Sequence, residues 1–128
     1  MPAQRPTLPD GIAAQHGHIA AQIRVLRLAV DDQAGDVRLR SLLADLFEDV
    51  RSHFAYEEAA MEIGGYPRLK AHRSEHAAFM HRLETLREES LMSDTELMPV
   101  LAALLETWFR NHEGSWDKEA AEFLRIAG

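Results

Sequence analysis

The sequence predicts an all-α protein: an antiparallel up-down-up-down four-helix bundle with a short C-terminal helix and an extended N-terminal arm. Three observations carry this. Four segments each place apolar residues three and four apart, which puts one apolar stripe on each of four helices. The connections between them are short and hold glycine, proline and capping residues, which favours antiparallel neighbours. No segment alternates as a strand does, and no internal repeat of roughly 20–50 residues occurs.

Residues 1–9 hold three prolines and no apolar run, so they read as the arm rather than as a signal peptide or a membrane span. Residues 10–128 read as the single bundle domain. Asp10 suits the N-cap of the first helix, whose stripe is Ile12, His16, Ile19, Ile23, Leu26 and Val30. That helix should stop between Asp31 and Gly35, with Asp36 capping the second. The second stripe runs through Leu39, Leu42 or Leu43, Leu46, Val50, His53, Glu57 and Met61, and Gly64-Gly65 ends it. Pro67 can open the third helix, with Leu69, His72, His76, Phe79, Leu83 and Leu86 on its stripe. A break is expected around Ser90–Ser93, where Ser93 and Glu96 have capping-box spacing. The fourth stripe is Leu97, Leu101, Leu104 or Leu105, Trp108 and His112, and Pro99 sits in its first turns, where proline is tolerated. Gly114 should loosen or end this helix, and a short last helix over about 115–126 can lie across the end of the bundle.

Composition narrows the function. At 128 residues the chain can bury a core without staples. It has no cysteine, which excludes disulfides, thiolate zinc, iron–sulfur clusters and c-type haem attachment. A net charge of −7 argues against a nucleic-acid partner, and no basic amphipathic stretch favours a membrane surface. The default location is the cytoplasm. What stands out is seven histidines.

Their levels decide the matter. His16 is near the start of helix one, His53 and Glu57 near the end of helix two, His72 and His76 near the start of helix three, and His112 at the end of helix four. In an antiparallel bundle these are all the same end. His16 lies roughly 15 residues from the first turn and His53 roughly 17, so at ~1.5 Å per residue the levels match within ~3 Å. Asp117 can join this layer from beyond Gly114. His18 and His81 are off the stripes and read as surface residues. A single histidine on an apolar stripe is ordinarily a hydrogen-bonded core residue. Five histidines and two acids at one level, with no lysine or arginine on the same stripes, are hard to satisfy without metal. Seven ligands are too many for one tetrahedral zinc, whereas imidazole with bridging carboxylate suits iron or manganese. If two metals share both carboxylates and one solvent oxygen, a three-and-two division of the histidines gives six ligands and five, leaving one open position.

The chain resembles the single-domain bacterial hemerythrins. The likeness rests on Gln15-His16, on His53-x-x-x-Glu57 followed by Met61 and Gly65-Tyr66-Pro67, on His72-x-x-x-His76 with Phe79, and on Trp108-x-x-x-His112 with Asp117 five residues on. The resemblance implies two oxo- or hydroxo-bridged iron ions as cofactor. His72, His76 and His112 would hold the six-coordinate iron, His16 and His53 the iron with the open position, and Glu57 and Asp117 would bridge. It also implies O2 or a related diatomic or peroxide ligand, bound reversibly for storage, delivery or sensing, in a monomer or weak homo-oligomer.

Two departures from the family pattern bear on that reading. The acid common just before the first histidine is replaced by Ala13-Ala14. The two positions after the fourth-helix histidine, commonly bulky and aliphatic walls of the O2 pocket, are Glu113 and Gly114. With Trp108 these are the pocket candidates. Glu113 either turns to solvent while Trp116 refills the pocket, or stands at the open iron as an extra ligand or acid/base. The second case favours a diiron redox enzyme, a peroxidase, an oxidase or a scavenger of peroxide or NO.

Overall fold

Each apolar stripe becomes a helix. The computed structural model describes residues 8–92 and 98–127. There α1 spans Leu8–Asp31, α2 Asp36–Ile63, α3 Leu69–Met92 and α4 Met98–His112. A π-helical segment, Glu113–Asp117, leads on into α5, Lys118–Ala127. α1 packs on α2 and α4, α2 also on α3, and α3 on α4, which is the neighbour pattern of an up-down-up-down bundle. Among the described residues there is no strand, and no helix is long and apolar enough to cross a membrane. Residues 1–7 of the expected arm, and the Ser93–Glu96 capping box with Leu97, lie outside the described residues.

The helix ends differ from expectation by about a turn, for local reasons. α1 starts at Leu8, so Asp10 is inside it rather than capping it, and Pro9 occupies a first-turn position that needs no N–H donor. At its far end Ala34 N–H donates to Ala29 O (2.9 Å) and Gln33 N–H to Val30 O (3.1 Å), with Gln33 at φ 56°. This pair of bonds closes the helix around one left-handed residue. That residue is Gln33. Gly35 instead forms the extended N-cap of α2, and Asp36 is the first helical residue rather than the cap. α2 ends the same way: Tyr66 N–H donates to Met61 O (2.9 Å) and Gly65 N–H to Glu62 O (3.2 Å), with Gly65 at φ 69°. α3 begins at Leu69, not Pro67. Pro67 and Arg68 form a turn closed by Leu69 N–H donating to Tyr66 O (3.3 Å), and His72 N–H then donates to Arg68 O (3.0 Å) as the helix begins.

Two apolar clusters follow. The large one fills the bundle with Ile19, Leu26, Leu46, Val50, Leu83 and Leu105 among others, all essentially buried. Each such side chain contributes about 1.5–3 kcal/mol. The small one joins Met61 and Tyr66 to Ala120 and Leu124, so α5 lies across the α2–α3 turn. A Cβ on Gly64 would run into the Leu124 side chain, so glycine at the end of α2 lets α5 come down.

Candidate metal centre

Between the two clusters lies a polar layer. It consists of His16, His53, Glu57, His72, His76, His112 and Asp117, and none is more than 7% exposed. The helical spacing of four brings His53 and Glu57 onto one face of α2, and His72 and His76 onto one face of α3. His16 arrives at the same level from α1, its ring centroid 4.6 Å from that of His53.

Asp117 needs a different device. Five residues along an α-helix turn about 140° round the axis, which would put Asp117 on another face from His112. The π segment between them follows i→i+5 periodicity instead. It brings Asp117 Oδ1 to 2.9 Å from His112 Nε2. Ser115 Oγ donates to Asn111 O (2.7 Å), a bond to the preceding turn that loosens a helix. Gly114 therefore loosens the helix without ending it, and α5 starts at Lys118, three residues later than expected.

The two carboxylates divide their oxygens between two groups of histidines. Glu57 Oε1 lies 3.0 Å from His16 Nε2 and 2.7 Å from His53 Nε2, while its Oε2 lies 3.1 Å from His76 Nε2 and 3.5 Å from His72 Nε2. Asp117 Oδ2 lies 2.7 Å from His16 Nε2, while its Oδ1 lies 3.0 Å from His72 Nε2 and 2.9 Å from His112 Nε2. The result is two adjoining donor nests, His72, His76 and His112 with both acids, and His16 and His53 with both acids.

These residues fit metal ions. Nε2 of His112 faces Nε2 of His72 at 3.1 Å and Nε2 of His76 at 3.0 Å. Where the outer Nδ1 carries the proton, these are lone pairs pointing at one another, and only a cation between them relieves the repulsion. His53 Nε2, Glu57 Oε2 and Asp117 Oδ2 are buried and close to layer neighbours, but at angles that make no hydrogen bond. Protons otherwise take the cation's part. Burial opposes charge on His16, but Asp117 and Glu57 outweigh it and raise the ring's pKa from 6.5 to about 10. The same balance raises His72 to about 9. Burial opposes ionisation of the acids too. His112, His16 and His72 nevertheless hold Asp117 down at about 2, and four histidines hold Glu57 well below its ordinary 4.5.

Outside the layer, acceptors fix the rings. His53 Nδ1 donates to Gln15 Oε1 (2.7 Å), and His76 Nδ1 to Glu58 Oε2 (3.0 Å). An acceptor there holds the proton on Nδ1 and turns the Nε2 lone pair inward. Glu75 is further off, 3.8 Å from His112 Nδ1. Sequence reasoning missed the roles of Gln15, Glu58 and Glu75. The signal available was that each adjoins one of the seven layer residues in sequence.

Glu113 stands between solvent and the layer. Its carboxylate is about half exposed, yet its Oε1 lies 3.3 Å from His16 Nδ1, the outer nitrogen, and it belongs to neither donor nest. Gly114 is exposed, with nothing within 4 Å of where a Cβ would stand. Trp116 does not refill a space beside His16. It packs edge-on to His72 (5.5 Å) beneath Arg68 (4.9 Å). Trp108 stacks on His112 (4.2 Å) and Phe79 (3.8 Å), so it walls the three-histidine nest rather than the two-histidine one. His18 and His81 are exposed, as expected.

Comparison with known proteins agrees with this geometry. Residues 7–124 match the family profile described as "Hemerythrin HHE cation binding domain". The chain is 31% identical over 100 residues to a bacteriohemerythrin of Pseudomonas paraeruginosa, a match covering 77% of this chain and 63% of that protein. It is 28% identical over 120 residues to one of Stenotrophomonas maltophilia, covering 91% and 74%, and 29% identical over 118 residues to one of Ralstonia nicotianae, covering 92% and 85%. The chain thus spans less than two thirds of the Pseudomonas relative's length. No solved structure matches it significantly.

Proposed function

This chain belongs to the hemerythrin family, and from that premise we propose that residues 10–128 form a non-haem diiron unit that binds O2 reversibly. The observation that carries this reading is the division of Glu57 and Asp117, each giving one oxygen to either histidine nest. His72, His76 and His112 would hold one iron, His16 and His53 the other, with both acids shared. Two ferrous ions so held would supply the electrons and one open coordination position for a diatomic ligand. The chain's own part is to orient and to keep dry. Gln15 and Glu58 aim the rings of His53 and His76. The rings of Phe54 and Trp108, stacked on His76 (3.8 Å) and His112 (4.2 Å), exclude water from the three-histidine nest. The unit acts in the cytoplasm in storage, delivery or sensing.

One observation favours a second reading, a diiron redox enzyme acting on peroxide, O2 or NO. It is the Glu113 carboxylate on the outer nitrogen of His16, where an acceptor strengthens the ring as a donor and favours the oxidised metal. The two readings separate on mixing the anaerobically reduced, iron-loaded protein with O2. A long-lived oxygenated form supports the first. Immediate oxidation together with turnover of added peroxide supports the second.

A further inference from the structure

A cleft of about 390 Å³ runs along the α1–α4 seam, within the size range of small-molecule sites. Its inner end is His16 with Glu113, and it extends past Ala20, Ile23 and Leu28 toward Arg27 and Glu106. His16 to Arg27 is about 16 Å along α1, so the space is long rather than round. The floor is apolar, formed by the buried Ile23 and Phe109, and the exposed Leu28 continues it outward.

The charges on its rim are uneven. Arg27 and Arg110 both reach Glu106, at 3.4 and 3.0 Å, and Arg27 also lies 3.9 Å from Asp31, outside the lining, so these two guanidiniums are paired. Glu113 is engaged by His16. Arg24, on the same rim, has no ion pair among the described residues. With Arg27, Arg110 and Glu113 each engaged, Arg24 is left as a local cationic spot on a chain of net charge −7. A cation above an apolar trough selects a molecule with an anionic head and an apolar body.

We propose that this cleft binds an elongated amphipathic carboxylate, its head on Arg24 and its apolar body along Ile23 and Phe109 toward His16. The site stands apart from the iron reading, because neither Arg24 nor the floor belongs to the donor nests. Occupancy would cover the flank of His16 and so place this ligand beside the two-histidine nest.

Decanoate is the probe, titrated calorimetrically into the metal-free and the iron-loaded protein. Saturable binding is expected in both. Arg24→Glu should weaken it by about tenfold or more, the loss of one charge-assisted contact. Ala20→Phe, at an exposed position, should fill the trough and do the same. Arg38→Glu makes the same charge change on α2 outside the cleft and should leave binding unchanged. Should Ala20→Phe fail to give a native circular dichroism spectrum, Arg24→Glu decides alone. No saturable binding to the unaltered protein, or equal weakening by Arg24→Glu and Arg38→Glu, overturns the proposal.

Discussion

His76 and His112 stand against aromatic rings, whereas His16 and His53 stand against polar groups and a cleft. On one side Phe54 lies flat on His76, Trp108 flat on His112, and Phe79 behind Trp108. On the other, Gln15 and Glu113 touch the outer ring nitrogens, and His16 is the inner end of an open space. The two nests share their carboxylates and differ in their surroundings. A nest sealed by flat rings holds its ligands rigid and dry. A nest with one fewer histidine and an open flank is where an outside molecule can arrive. On the proposed reading, the first half would hold its iron and the second would be where ligand exchanges.

The largest effect should come from the group both halves share. Glu57→Ala should cost about 1,000-fold or more in iron affinity (roughly 4 kcal/mol), and iron content by emission spectroscopy should fall in both nests together. Loss of only one ion would show that the halves are independent. Next comes the aromatic wall. Phe54→Ala should destabilise the metal-free protein by about 3–4 kcal/mol in urea unfolding. A cost under about 1 kcal/mol would mean the rings do not seal that half.

The third effect is on pH dependence. The folded-state pKa values of His16 and His72 are raised to about 10 and about 9. Their contribution to the metal-free protein is fully present below pH 6.5 and lost as pH rises through 9 to 10. Asp117 and Glu57 are depressed, so their contribution is present above their ordinary values near 4 and is lost as pH falls toward about 2 for Asp117. Metal-free stability should therefore be greatest between about pH 4.5 and 6.5. Iron needs these rings unprotonated, so its stabilising effect should grow across the alkaline limb. Thermal melts of both forms across pH check this, and parallel curves would contradict it. The smallest effect on stability is Glu113→Leu, within about 0.5 kcal/mol at an exposed position. It should nonetheless lengthen the life of the oxygenated form and lower any peroxide turnover. If neither moves, Glu113 is a bystander.

How much of this was legible beforehand follows from what each feature depends on. The layer could be read from spacing, because His53/Glu57 and His72/His76 are four apart and the spans from the first turn to His16 and His53 are nearly equal. The ends of α1, α2 and α3 differ from the sequence reading by up to three residues. Leu8-Pro9 and Gln33 take positions where Asp10 and Gly35 were equally good on local chemistry. The position of Asp117 depends on a π segment, and the spacing of five from His112 is its trace in the sequence. What Glu113, Trp108 and Trp116 touch could not be read there, since it depends on how α4 is rotated against α1 and α3. Trp108 sits on the fourth stripe with His112, which places it in the core without saying which nest it faces.

In the proposed reading this layer holds two irons and exchanges O2 on the His16/His53 side. Stopped-flow absorption of the anaerobically reduced, iron-loaded protein mixed with O2 tests it most directly. A visible chromophore should form on mixing, scale with two irons per chain, and bleach when O2 is withdrawn. A protein that takes up no ferrous iron, or whose iron oxidises with no reversible oxygenated form, would contradict it.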